Sequence, residues 1–147
     1  MKKITIYTDG GSRGNPGQAA GGVVFCNEKG EKMSEHGKYF GDNLTNNEAE
    51  YGAVIFALEK FKALFGKPLA KQAEVTICSD SELLVNQMNG KYKIENEKLQ
   101  PLFLKLWNLC LDFKTVKIKA ISRNKNKDAD RVVNETLDNE KKATKLF

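Results

Sequence analysis

Between residues 2 and 8 apolar and polar positions alternate, in a stretch rich in Ile, Thr and Tyr, which predicts a strand. Residues 9–17 hold glycine or proline at five positions and read as a loop. Residues 20–26 predict a second strand, with Gly21 and Gly22 leaving room for close packing, and residues 32–40 a third after a turn at 27–30. Three short strands joined by turns predict an antiparallel meander. At Asn46 the period changes. Ala49, Ala53, Ala57, Phe61 and Leu64 recur at helical spacing until Gly66 and Pro68 end the run. Residues 74–79 predict a short buried strand, and residues 81–88 a short helix that Asn89 and Gly90 terminate. Leu99, Phe103, Leu106, Cys110 and Phe113 mark a further helix, and Trp107, beside that stripe, is read as core. Val and Ile alternate with Lys over residues 116–121, a fifth strand, and residues 125–146 form a last amphipathic helix. The order β-β-β-α-β-α-α-β-α predicts an α/β fold, one mixed sheet covered by helices.

Composition narrows the class. A chain of 147 residues with 29% charged and 9% aromatic side chains fits a single globular domain over residues 1–147 with a sizeable core. The longest apolar run, residues 53–58, is far too short to span a bilayer, and the stretch after Met1 is no signal-peptide core. No membrane association and a cytoplasmic location are therefore expected. Cys26, Cys78 and Cys110 are odd in number, without a Cys-x-x-Cys pair and with one histidine in the chain, which argues against a Cys/His zinc site and for reduced core thiols. The net charge of +5 is unevenly placed: residues 114–147 carry ten basic and five acidic side chains, the whole excess. Such a segment points to a polyanionic partner; the competing reading is an ordinary solvated surface.

Two aspartates share a context. Asp9 follows the first predicted strand and Asp80 the fourth. If those strands are parallel neighbours, both carboxylates project at the sheet edge where open α/β sheets bind ligands. Either one alone reads as a cap or turn residue; the pair is harder to dismiss. Glu50 lies three residues before Ala53 on the long helix's apolar stripe, so it points toward the sheet, whereas Glu48 is offset by roughly 200° and faces away. Asp130 lies near the start of the last helix. Converging carboxylates repel one another, and divalent metal is the physical reason to tolerate that. Magnesium takes oxygen ligands, and a pair of ions can clamp the attacking and leaving oxygens of a phosphoryl transfer.

Four segments carry a resemblance: Thr8-Asp9-Gly10-Gly11-Ser12-Arg13-Gly14-Asn15-Pro16-Gly17, Thr45-Asn46-Asn47-Glu48-Ala49-Glu50-Tyr51, Ser79-Asp80-Ser81, and Arg123-Asn124-Lys125-Asn126-Lys127-Asp128-Ala129-Asp130. In this order and spacing they resemble type 1 ribonuclease H, from about residue 3 to 138. The resemblance implies a five-stranded mixed sheet of order 3-2-1-4-5. It implies an endonuclease that cuts the RNA strand of an RNA–DNA hybrid, leaving 5′-phosphate and 3′-hydroxyl ends. It assigns Asp9, Glu50, Asp80 and Asp130 to two Mg²⁺ ions, with Asp9 bridging them and Mn²⁺ as a substitute. Asn15, Asn46 and Asn47 correspond to residues touching the hybrid's minor groove, where 2′-hydroxyls mark the RNA strand. Thr45 with Asn15 corresponds to a pocket for a DNA-strand phosphate, and Arg13 adds a phosphate contact. Helix capping is the alternative role for Asn46 and Asn47.

The pattern is broken twice. The family's usual histidine, ten residues before the last catalytic aspartate, is Ala120 here, and the chain's one histidine, His36, falls on the third strand as a surface residue. The missing imidazole bears on turnover rather than on metal chemistry, and Arg123 is a neighbour that could take its part. A basic helix-loop found in several members after the short helix is also missing. Residues 81–113 carry four basic and four acidic side chains, and the short helix is expected to pass almost directly into the next one. In compactness the chain is similar to the handle-less bacterial and archaeal members. No obligate protein partner is indicated and a monomer is expected. The readings in competition are an integrase-like core and a non-catalytic or weakly active nucleic-acid-binding module of the same fold. A decayed site would be expected to lose at least one of the four carboxylates, and all four are present.

Overall fold

The computed structural model describes residues 2–145. Five strands, β1 (Lys3–Arg13), β2 (Gly17–Cys26), β3 (Lys32–Leu44), β4 (Glu74–Ser79) and β5 (Thr115–Ala120), form one mixed sheet of order β3-β2-β1-β4-β5. The pairs β1–β2 and β2–β3 are antiparallel, while β1–β4 and β4–β5 are parallel. The helices are α1 (Asn46–Phe65), α2 (Lys67–Gln72), α3 (Glu82–Met88), α4 (Gln100–Cys110) and α5 (Lys127–Lys145). The expected sheet, its strand order and the flanking helices are all present. The C-terminal end expected for the last helix, at Leu146, lies outside the described residues.

Alternation assigns each strand two faces. Ile4, Ile6, Val23, Phe25, Val75, Ile77 and Ile118 point to one side and pack with Val54, Leu58 and Phe61 of α1, Leu84 of α3 and Leu106 of α4. Ala20 meets Val133 and Leu137, and Val24 with Cys26 meets Ala129, so α5 covers the opposite side over β1, β2 and β3. On the outer side of β5, Lys117 and Lys119 are exposed. No helix among the described residues is long and apolar enough to cross a membrane. The three cysteines are free, two of them buried and Cys110 half-buried.

Several expectations are corrected. The first strand does not stop at Thr8: β1 runs on through Arg13, so Asp9 lies within a strand rather than in a loop. The reason is unequal partners. Pairing with β4 ends at Thr8–Ser79, but pairing with β2 continues to Arg13–Gln18. The loop shrinks to residues 14–16. Likewise β2 begins earlier, and β3 runs on to Leu44. Gly66 and Pro68 end α1 but also start α2, where proline fits the first turn of a helix. Trp107 is not core. It is 49% exposed and stacks on Phe103 with ring centroids 6.1 Å apart, beside exposed Leu104. Only Leu106 of α4 is fully buried, because α4 packs mainly on α1. The passage from α3 to α4 is not direct: residues 89–99 intervene without helix, tied down by Gln87 Nε2 donating to the Lys93 carbonyl and Gln100 Nε2 to that of Ile94.

Candidate active site

The parallel register builds the site. Thr8 and Ser79 are the last paired residues of β1 and β4, so Asp9 and Asp80 follow side by side at one sheet edge. Asp80 is free to face Asp9 because the cap of α3 is Ser81, whose Oγ accepts from the Leu84 N–H at 3.3 Å. Helix α1 brings Glu50, which sits on its buried face with Ala49 and Ala53. The approach is tight: a methyl group at Gly10 would lie 2.2 Å from the Ala49 carbonyl carbon and oxygen, so only glycine lets β1 lie against the first turns of α1. Gly22, paired with Asp9 across β1–β2, does the same for α5, since a methyl there would lie 2.5 Å from the Ala129 carbonyl oxygen.

Oxygens of Asp9, Glu50 and Asp80 lie within 4.8 Å of one another. Asp130, in the first turn of α5, is exposed and lines the same cleft of about 460 Å³. Burial, then the charges of Asp80 and Asp130, push the Asp9 carboxyl up to about 7. Glu50 is raised well above the usual carboxylate range, first by burial and then by Asp9 and Asp80, although the Gly10 backbone acts against the rise. Its Oε2 is buried without a hydrogen-bond partner. Hard oxygen donors, mutual repulsion and an orphaned carboxylate oxygen fit a divalent cation.

The polar residues divide. Arg13, Asn46 and Asn47 line the cleft. Asn15 and Thr45 stand at the head of α1 instead: Asn15 Oδ1 accepts from the Asn46 N–H at 3.1 Å, and Thr45 caps the helix reciprocally with Glu48. The cap is therefore neither Asn46 nor Asn47. The Asn46 side chain accepts from the Ser12 N–H at 2.9 Å, tying α1 to β1, and Asn47 carries no cap bond. The Arg13 guanidinium pairs with Asp138 of α5 at 2.7 Å. His36 is half-buried against Phe25 and does not line the cleft. Ala120 ends β5 and shares a neighbouring groove with Asp80, Lys119, Arg123 and Lys125. Two residues escaped the sequence reading. Ser12 is one. Asn126 is the other, buried beside Asp80; its place in the fourth motif was the only sign.

This sheet and edge are shared with known proteins. Residues 7–136 match the family described as reverse transcriptase-like. A ribonuclease H of Caldicellulosiruptor saccharolyticus is 32% identical over 142 residues, covering 91% of this chain and 90% of its own. LC11-RNase H1, isolated from compost, is 43% identical with a TM-score of 0.87, over 95% of this chain and 99% of that one. It has also been solved in complex with an RNA/DNA hybrid. The chain belongs to the type 1 ribonuclease H family, in its compact form. The bifunctional protein Rv2228c of Mycobacterium tuberculosis is 34% identical over 137 residues, 92% of this chain, and the chain spans 36% of that relative's length.

Proposed function

We propose that the protein hydrolyses the RNA strand of RNA–DNA hybrids, with Asp9, Glu50, Asp80 and Asp130 holding two Mg²⁺ ions and leaving 5′-phosphate and 3′-hydroxyl ends. The observation that carries this reading is the carboxylate cluster, three acids within 4.8 Å at the sheet edge with two of them held against their own ionisation. A structural role does not account for such a cluster, since its repulsion costs stability in the metal-free chain. Cations held by these four carboxylates would supply activated water and charge neutralisation at the scissile phosphate.

The chain's own groups do the rest. Asp9 and Glu50, on elements locked together at Gly10, present donors at fixed separation. Asp130 stands on the exposed rim, open to a substrate phosphate as it arrives. Asn46 spends its oxygen on Ser12, which leaves its amide nitrogen for the minor groove, where 2′-hydroxyls distinguish RNA. Asn47 shares that wall, and Asn15 with Thr45 borders it at the helix head, where the partial positive charge suits a phosphate of the DNA strand. Arg13, paired with Asp138, adds a cation to the cleft lining.

The test is incubation of end-labelled hybrid with the protein in Mg²⁺, in Mn²⁺ and in EDTA, beside single-stranded and duplex controls. Metal-dependent cuts confined to the RNA strand of the hybrid are expected. Tight hybrid binding with no cleavage in either metal would establish a binding module instead.

A further inference from the structure

Asn126 directly precedes α5, and its carbonyl accepts the backbone N–H of Asp130 at 3.1 Å. An asparagine at that place ordinarily turns its side-chain oxygen back to cap the helix. This one does not: its Oδ1 is buried with no partner. Its Nδ2 instead donates to the Thr8 carbonyl at 2.8 Å and to Asp80 Oδ2 at 3.3 Å. The orientation of the amide is set by chemistry, because a flipped amide would press its oxygen against a carbonyl and a carboxylate. The residue is 1% exposed, and Thr8 beside it is fully buried.

The side-chain amide thus bridges two acid-bearing segments, β1 one residue before Asp9 and the Asp80 carboxylate itself, while the backbone carbonyl of the same residue accepts from the N–H of Asp130. A neutral donor suits this place. A lysine there would neutralise Asp80 and compete with a cation, whereas an amide fixes the carboxylate's rotamer and leaves its charge available. We infer that Asn126 is a positioning residue for the cleft, holding Asp80 toward Asp9 so that the carboxylates are arranged for divalent metal before metal arrives. The inference rests on the assignment of Asp80 as a metal ligand given above.

The experiment compares wild type, Asn126→Ala and Asp80→Asn by calorimetric titration with Mn²⁺ alone, by hybrid binding in EDTA, and by kcat across metal concentration. Asn126→Ala is expected to bind Mn²⁺ about ten- to a hundredfold more weakly. Its hybrid affinity in EDTA should stay within about twofold of wild type, and its kcat should recover in part at high metal. A purely structural asparagine would lower the melting temperature and leave Mn²⁺ affinity unchanged, and a folded variant behaving so overturns the inference while Asp80→Asn still loses metal. Unchanged Mn²⁺ affinity in Asp80→Asn overturns the ligand assignment, and the inference with it. Should Asn126→Ala fail to fold, the side-chain amide of Asn126 is followed by NMR in Asp80→Ala. One of its two protons is expected to shift and lose protection from exchange, and an unmoved pair overturns the inference.

Discussion

Replacing Asp9 by asparagine removes one charge from a cluster that repels itself. The carboxyl's ordinary value of 3.8 rises to about 7 in the fold, chiefly through burial and then through Asp80 and Asp130. The folded chain therefore holds this proton more tightly than the unfolded chain. Stability from this group is fully present below about pH 4 and is lost as pH rises toward 7, after which the loss is constant. A rise of that size is worth at most about 4 kcal/mol. Glu50 shares the same repulsion, so about half, ~2 kcal/mol, is the working figure for one substitution. For a chain of this length each kcal/mol moves the melting temperature by roughly 2–4 °C. In EDTA at pH 7.5, Asp9→Asn should melt about 4–8 °C higher than wild type, and near pH 4 the two should coincide. Added Mg²⁺ should raise the wild-type melting temperature and not the variant's. Cleavage should vanish. The assays are thermal melts at both pH values and steady-state cleavage of labelled hybrid. An equal gain at pH 4 and 7.5 would show that ionisation is not the cause. A variant keeping more than about a tenth of wild-type kcat, a barrier loss below ~1.4 kcal/mol, would refute the shared-ligand role.

Gly10→Ala should lower stability by about 2 kcal/mol or more and weaken metal binding, because β1 and α1 must separate where the added methyl meets the Ala49 carbonyl; denaturant melts and Mn²⁺ titration measure both. Lys117→Ala with Lys119→Ala, on the exposed side of β5, should weaken hybrid binding and flatten its salt dependence by roughly 0.7–0.9 in the log–log slope per phosphate contact; an unchanged slope would mean the lysines only solvate the strand. Ala120→His, in the groove that holds Asp80 and Arg123, should raise steady-state turnover and leave the first turnover and the metal requirement unchanged, as rapid-quench kinetics would show.

Where local pattern and tertiary demand agree, the residues were legible before the fold. The alanine and phenylalanine spacing of α1 marked its apolar face, and with it Glu50 rather than Glu48. Short apolar runs ending in Asp9 and Asp80 marked a shared sheet edge. Glycine misled at β1: Gly10 and Gly11 lower strand propensity and read as a loop, yet Gly10 is there because α1 lies against it. Trp107 misled for the opposite reason, since a large aromatic near a helical stripe looks buried until the neighbouring layer proves to be missing on that side. Beyond its place in the fourth motif, the role of Asn126 was illegible. Its meaning lies in a bond to a residue 118 positions away, which no local window contains.

The cleft is also late to assemble. Its walls come from β1, the start of α1, the end of β4 and the start of α5, and the hollow at Gly22 is filled only when Ala129 arrives. During synthesis at about 5–20 residues per second, Asp130 follows Asp9 by roughly 6–24 s. From the synthesis of Asp80 until that of Asn126 and Asp130, the nascent polypeptide carries acids from three segments with neither the Asn126 bond to Asp80 nor the fourth carboxylate. On the proposed roles of Asn126 and Asp130, competence for hydrolysis is tied to the segment that opens α5, and a product ending before it is expected to be inert.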